Sequence, residues 1–215
     1  MKKFILENKI FLSLYALFAI VGAVLIAKYE KGHETLYFSA LHTPFFDQVF
    51  KYATQLAEAP VLFLIIIVTA RFNYGKGLLL ALNTLLVFAV TGILKSYVFA
   101  DHVRPSVFFE GREQLNFVQG VEVLRYHSFP SGHTSSAFAL FFLMSILFKD
   151  KRWAPLLFAL ALLVGVSRVY LLEHFFHDVY AGAFIGVFTT AAFYLTFAQS
   201  AFYQNIKLKD KAFGL

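Results

Sequence analysis

The sequence predicts an all-α polytopic membrane protein: six transmembrane helices forming a bundle, with an amphipathic helix in the first outer loop. Three observations predict it. Apolar residues make up 59% of the 215 and charged residues 15%, with a mean hydropathy of +0.67, against roughly 45–50% and about 25% in soluble domains. The excess falls into uncharged runs close to the about 20 residues that a helix needs to cross a hydrocarbon core. The cations, finally, are shared unequally between alternate connections, as the positive-inside rule requires.

The first span is Ile10 to Ala27, behind Met1-Lys2-Lys3. It exceeds the roughly 7–15 residue core of a signal peptide, and no Ala-x-Ala pattern closes it, so a retained span is expected. Thr43-Pro44 then reads as a helix cap, after which Phe45, Phe46, Val49, Phe50, Ala53, Leu56 and Ala57 recur at helical spacing. A helix lying on the membrane surface before turning inward fits that stripe. The second span, Tyr52–Ala70, has a short uncharged core from Ala59 and reaches full length only by including Glu58. The remaining four are read at Gly77–Leu94, Gly132–Phe148, Trp153–Ser167 and Val179–Ala198. Gly182 and Gly186 form a small-residue row on the last, which lets a neighbouring helix approach closely. The chain reads as a single integral-membrane domain, 1–215, with its core at about 77–198.

Six spans put both termini on one side. Lys2, Lys3, Lys9, Arg71, Lys76, Lys149, Lys151, Arg152, Lys207, Lys209 and Lys211 lie on that side with only three acids, Glu7, Asp150 and Asp210. The other 8 of the 19 cations share longer loops with 10 acids. Cytoplasmic termini are therefore expected, in a bacterial-type inner (plasma) membrane, with the loops around 28–51, 99–131 and 168–178 on the periplasmic or extracellular side. The net charge of +6 is an orientation signal. No basic stretch is interleaved with aromatics outside the spans, so nucleic acid is not expected as a partner. The absence of Cys excludes disulfides, thiol nucleophiles and thiolate metal sites.

Polar residues converge at the outer ends of the third to sixth spans: Lys95, Arg104-Pro105, Pro130-Ser131-Gly132-His133, Ser167-Arg168, then His174 and Asp178. Ionisable groups at that depth are expensive unless paired or functional. His174 and Asp178 are four apart, so on a helix they share a face and the carboxylate can accept from one ring nitrogen. The other nitrogen is then left as a lone-pair nucleophile or base. Arg168 and His174 are six apart, on different faces of any unbroken helix, so the chain must turn between them. Pro130-Ser131-Gly132-His133 reads as a helix start with Ser131 or Gly132 near the cap. Free N–H groups and the positive dipole end make such a start an anion site, and Gly132 lets an oxygen approach the backbone. Arg104 and Arg168 can grip phosphate oxygens bidentately, and Lys95 can add a point charge.

At these residues the sequence resembles the type 2 phosphatidic acid phosphatase family, metal-independent membrane enzymes whose motifs are Lys-x6-Arg-Pro, Pro-Ser-Gly-His and Ser-Arg-x5-His-x3-Asp. The second stands at Pro130-Ser131-Gly132-His133 and the third, in full, at Ser167-Arg168, His174 and Asp178. The first departs: eight residues separate Lys95 from Arg104-Pro105, and Tyr97 occupies the strict register. Either the loop carries two extra residues or Lys95 has lost its role. The resemblance implies that His174, oriented by Asp178, attacks phosphorus to form a phosphohistidine while His133 protonates the leaving oxygen and later activates water. Lys95, Arg104, Ser131, the Gly132 amide and Arg168 would stabilise the equatorial oxygens. No metal and no cofactor are implied.

Two rival readings use the same residues. Glu173-His174-Phe175-Phe176-His177-Asp178 packs four possible metal ligands together, though its histidines are at i,i+3 with Glu ahead, unlike the zinc protease pattern. A transporter or scramblase for anionic lipids would use the same cations without a nucleophile. The expected substrate is an amphiphile with a terminal phosphate or pyrophosphate: undecaprenyl pyrophosphate, phosphatidylglycerol phosphate or phosphatidic acid, with lipid A phosphates as the alternative. Oligomeric state is left open.

Overall fold

The structure, a computed structural model, describes residues 1–206. Lys207, Lys209, Asp210 and Lys211, counted above towards orientation, lie outside the described residues. Among the described residues every regular element is helical. In chain order they are α1 (Lys2–Glu7), α2 (Lys9–Lys28), α3 (His33–Ala40), α4 (Pro44–Gln55), α5 (Ala59–Phe72), α6 (Tyr74–Ile93), α7 (Pro105–Phe108), α8 (Gly132–Leu147), α9 (Ala154–Tyr170), α10 (Phe176–Phe193) and α11 (Ala201–Gln204). Single π-turns extend α6 through Leu94–Val98 and α10 through Tyr194–Ala198.

Helix α8 is the axis of the bundle. Twelve of its sixteen residues are buried, including Phe138 and Phe142 with no exposed surface, and its main neighbours are α10, α9 and α6. Lipid is as apolar as Leu, so packing and small residues have to hold such helices together. Phe142 packs its ring on Phe11 of α2 at 4.9 Å, and Phe11 meets Phe158 of α9 edge-on at 5.4 Å. Against α10 the contact is backbone to backbone. A Cβ on Gly182 would lie 2.6 Å from the Ser131 carbonyl oxygen, and one on Gly186 would lie 3.0 Å from the Ala139 nitrogen, so the small-residue row is the seam. Asn83 of α6 adds a buried hydrogen bond to Thr190 Oγ1 of α10 at 3.0 Å. At its other end α8 is closed by two lysines: Lys151 Nζ donates to the carbonyls of Ser145 (2.7 Å) and Ile146 (3.0 Å), and Lys76 Nζ to that of Leu147 (3.2 Å).

Among the described residues four helical stretches are long and apolar enough to cross a membrane: Lys9–Lys28, Tyr74–Val98, Lys151–Tyr170 and Phe176–Ala198. The pair α4 and α5, bent by 53°, adds a fifth if it counts as one span. Helix α8 has 16 residues, about 24 Å at 1.5 Å per residue, short of the hydrocarbon thickness. It is also the most enclosed of the long helices, with α10, α9 and α6 packed around it.

The segment between α2 and α5 is more structured than its sequence suggests. Thr43 caps α4 by accepting from the Phe46 N–H, with Pro44 in the first turn. Phe50 of α4 lies on the Tyr170 ring at 4.3 Å, and the Tyr170 hydroxyl donates to Asp47 at 2.7 Å. Glu34 of α3 accepts from the N–H of Phe176, capping α10 from outside at 2.8 Å.

Candidate active site

The site is built where α8 begins, where α9 ends and where α10 begins. Ser131 is the N-cap of α8; its Oγ accepts from the N–H and the hydroxyl of Thr134, at 3.4 and 2.9 Å. Its own N–H donates to the Asp178 carbonyl at 3.0 Å, which ties the start of α8 to the first turn of α10. The N–H groups of Gly132 and His133, as first-turn donors, have no partner within the helix.

Helix α9 stops at Tyr170 and the chain doubles back: the N–H groups of Glu173 and His174 both donate to the Arg168 carbonyl at 3.1 Å, and Leu172 takes a left-handed φ of 58°. This is the turn that the six-residue spacing of Arg168 and His174 demands. It also changes the account of the His–Asp pair. His174 lies two residues before α10, so no shared helical face brings it to Asp178; the entry turn does, with Nδ1 and Oδ2 3.3 Å apart. The same Oδ2 accepts from Ser128 Oγ at 2.5 Å and from the Phe175 N–H at 3.1 Å. A carboxylate so anchored accepts from Nδ1–H, which keeps the proton on Nδ1 and leaves Nε2 with its lone pair. Burial, reinforced by the positive charges of Arg104 and Arg168, holds the His174 imidazole well below its ordinary pKa, which favours the neutral ring. Only 1% of its surface is exposed, and Nε2 faces Arg104 Nη1 at 3.5 Å.

Arg104 and Arg168 are both buried. Arg104 donates from Nε to the Tyr126 carbonyl at 3.0 Å, and from Nη1 to the Glu173 carbonyl (2.9 Å) and carboxylate (2.6 Å). Arg168 donates from Nη1 to Thr54 Oγ1 of α4 at 2.8 Å, and its Nη2 lies 3.4 Å from the same Glu173 Oε2. Burial lowers the Arg104 pKa, and the Glu173 charge opposes it; burial likewise raises that of Glu173 against the pull of Arg168 and Arg104.

Lys95 faces this cluster. It stands in the π-turn after α6, donates to the His127 carbonyl at 3.1 Å, and its Cε would be 4.0 Å from a Cβ on Gly132. Tyr97, in the strict motif register, is 84% exposed. The two extra residues are accommodated by the π-turn, closed by Phe99 N–H on the Leu94 carbonyl at 2.8 Å, and by the turn at 99–101. Of the two readings of the first motif, the geometry fits the longer loop.

His133 is less enclosed than His174. It lines a cavity of about 410 Å³ with Gly132, Ser136, Phe88, Glu58 and Pro60, between the α4–α5 bend, α6 and α8. The structure thus brings Lys95, Arg104, Ser131, Gly132, Arg168, His174 and Asp178 to one end of the bundle, with His133 on its open side. Three contributors were not singled out as site residues from sequence: Ser128, Thr54 and Glu173 as a partner of both arginines. Among the described residues no three His, Cys, Asp or Glu side chains are placed to hold a metal ion, and His177 lines a different cavity with α2 and α3.

The PAP2 superfamily model matches residues 76–201. Over 95 residues the chain is 39% identical to the probable lipid phosphate phosphatase 4 of Arabidopsis thaliana, covering 37% of this chain and 30% of that protein. Over 86 residues it is 36% identical to the bacitracin transport permease protein BcrC of Bacillus licheniformis, 40% of this chain and 41% of that one. The chain therefore spans less than half the length of these curated relatives. The crystal structure of Aquifex aeolicus LpxE superposes with a TM-score of 0.67 at 27% identity, over 78% of this chain and 96% of that one.

Proposed function

The chain belongs to the PAP2 superfamily of membrane proteins, and from that premise and the site's geometry we propose that it is a metal-independent lipid phosphatase working through a phosphohistidine. The observation that carries this is the buried His174, whose Nδ1 lies 3.3 Å from the anchored Asp178 Oδ2 while Nε2 faces Arg104 Nη1 at 3.5 Å. In the first step Nε2 attacks phosphorus in line; the N–P bond forms, the P–O bond to the lipid breaks, and His133 gives its proton to the leaving oxygen. In the second, His133 takes a proton from water, which attacks phosphorus, and the N–P bond breaks to release inorganic phosphate. Lys95, Arg104, Arg168, Ser131 and the Gly132 N–H stabilise charge on the equatorial oxygens.

The substrate class is an amphiphile with a terminal phosphate or pyrophosphate: undecaprenyl pyrophosphate, phosphatidylglycerol phosphate or phosphatidic acid, or a lipid A phosphate by the same chemistry. The similarity to a probable lipid phosphate phosphatase supports the class, and the cavity beside His133 offers the lipid a way in between helices. The whole chain acts as one domain crossing six times, with α8 as the enclosed short passage and α4 as the amphipathic helix at the interface. Its termini are cytoplasmic and its site is on the outer face of the membrane.

Phosphate release from that panel of lipids in detergent is the test. Purified wild type should hydrolyse at least one of them with full activity in excess chelator, and His174→Ala should lose essentially all of it. Retention of most activity by His174→Ala would refute the mechanism. Lipid transport that survives His174→Asn, with no trappable phosphoenzyme, would point to a transporter.

A further inference from the structure

At a position that none of the three motifs specifies, one buried charge lies at the centre of the arginine pair. Glu173 is 4% exposed, and its Oε2 lies 2.6 Å from Arg104 Nη1 and 3.4 Å from Arg168 Nη2. Its backbone carbonyl takes a second bond from Arg104 at 2.9 Å, and its N–H is held by the Arg168 carbonyl at 3.1 Å. The residue therefore clamps both guanidinium groups with backbone and side chain together. Next to it in sequence is His174, whose Nε2 meets the same Arg104 Nη1 at 3.5 Å. A carboxylate buried in this place has two effects. It fixes two long side chains that would otherwise lose the position from which they reach a phosphate, and it cancels one of the three positive charges of Lys95, Arg104 and Arg168.

We propose that Glu173 is a positioning residue that sets the spacing of Arg104 and Arg168 and, by offsetting one of their charges, weakens the pocket's hold on inorganic phosphate so that product leaves. The proposal rests on the phosphatase reading of the site. Its physical basis is a balance. The transition state spreads charge over three oxygens and gains from every cation, but the free phosphate product gains from them as well. Arg168 Nε is buried with no protein partner, and Arg104 Nη2 is the other nitrogen not committed to Glu173, Tyr126 or His174. These are the donors that remain for an oxyanion while Glu173 holds Arg104 Nη1 and lies beside Arg168 Nη2.

Glu173→Gln keeps the shape and removes the charge. With inorganic phosphate as the probe, its inhibition constant should fall about tenfold, the scale of one unit charge at close range in a partly screened site, and kcat should fall together with KM as release becomes slow. Unchanged or weaker phosphate inhibition would overturn the proposal. If this variant does not fold, Glu173→Asp is decisive: it keeps the charge but shortens the clamp, so KM should rise several-fold with phosphate inhibition near wild type, and an unaltered KM would overturn the proposal. Phosphate affinity is also read without turnover, from the thermal shift that phosphate produces in wild type and Glu173→Gln. Tightening there with no lipid hydrolysed by wild type would remove the phosphatase reading, and with it the product-release role, leaving only the effect of Glu173 on phosphate affinity. Hydrolysis by wild type with no tightening would remove the inference alone.

Discussion

At the scale of single residues the site depends on the environment of one imidazole. Asp178 Oδ2 is shared by His174, Ser128 and the Phe175 N–H, so it is the point at which the tautomer is set. Asp178→Asn should lower kcat/KM by about 10³, because an amide can present a donor to Nδ1 and turn the lone pair away from phosphorus. Ser128→Ala removes one hydrogen bond to a charge, worth about 1.5–3 kcal/mol, and should cost at least about tenfold in kcat/KM. The same burial predicts a pH signature. The folded pKa of His174 is held below the unfolded value near 6.5, so below that pH the unfolded chain binds a proton that the folded chain refuses, and stability falls with pH. Thermal melts should therefore show stability falling from pH 7 to pH 5 more steeply in wild type than in His174→Asn. His174, Asp178 and Arg168 were legible in the sequence because their spacing is the motif. Ser128 and Thr54 were not, because a serine in a loop and a threonine in an apolar stripe carry no signal until the chain brings them to a carboxylate and a guanidinium.

At the scale of elements, glycine at 182 and 186 lets α10 lie against α8, and the same contact fixes the start of α8 beside Asp178. Gly182→Ala sets a Cβ 2.6 Å from the Ser131 carbonyl, so the backbone must shift. Overpacking of this kind costs about 1–3 kcal/mol. A lower Tm together with a lower kcat is expected, since the displaced residue is the cap of the phosphate-facing helix; a fall in Tm alone would mean that the seam and the site are separable. The small-residue row was readable from its i,i+4 spacing, as was the cap at Thr43-Pro44. The π-turn at Leu94–Val98 was not: no residue type demands it, and it is visible only as two surplus residues in the first motif. Hydropathy placed α8 as a full span because it records apolarity, whereas α8 is apolar through being enclosed by protein.

At the scale of the whole molecule, orientation is the open prediction that a simple experiment settles. The chain has no Cys, so single cysteines at Glu110 and Lys149 can be labelled on a silent background. In intact cells a membrane-impermeant maleimide should label Glu110→Cys, and Lys149→Cys should react only after lysis; the reverse pattern would put the site inside. The α4–α5 bend of 53° lies beside the cavity that His133 lines, and Thr54, close to that bend, accepts from Arg168 at 2.8 Å. On the phosphatase reading proposed above, an element that faces lipid would then grip a phosphate-binding side chain. Lateral pressure and bilayer thickness would act on the arginine pair through it. In proteoliposomes of graded acyl length, turnover should pass through a maximum, and Thr54→Ala should flatten it by uncoupling the lever from the guanidinium.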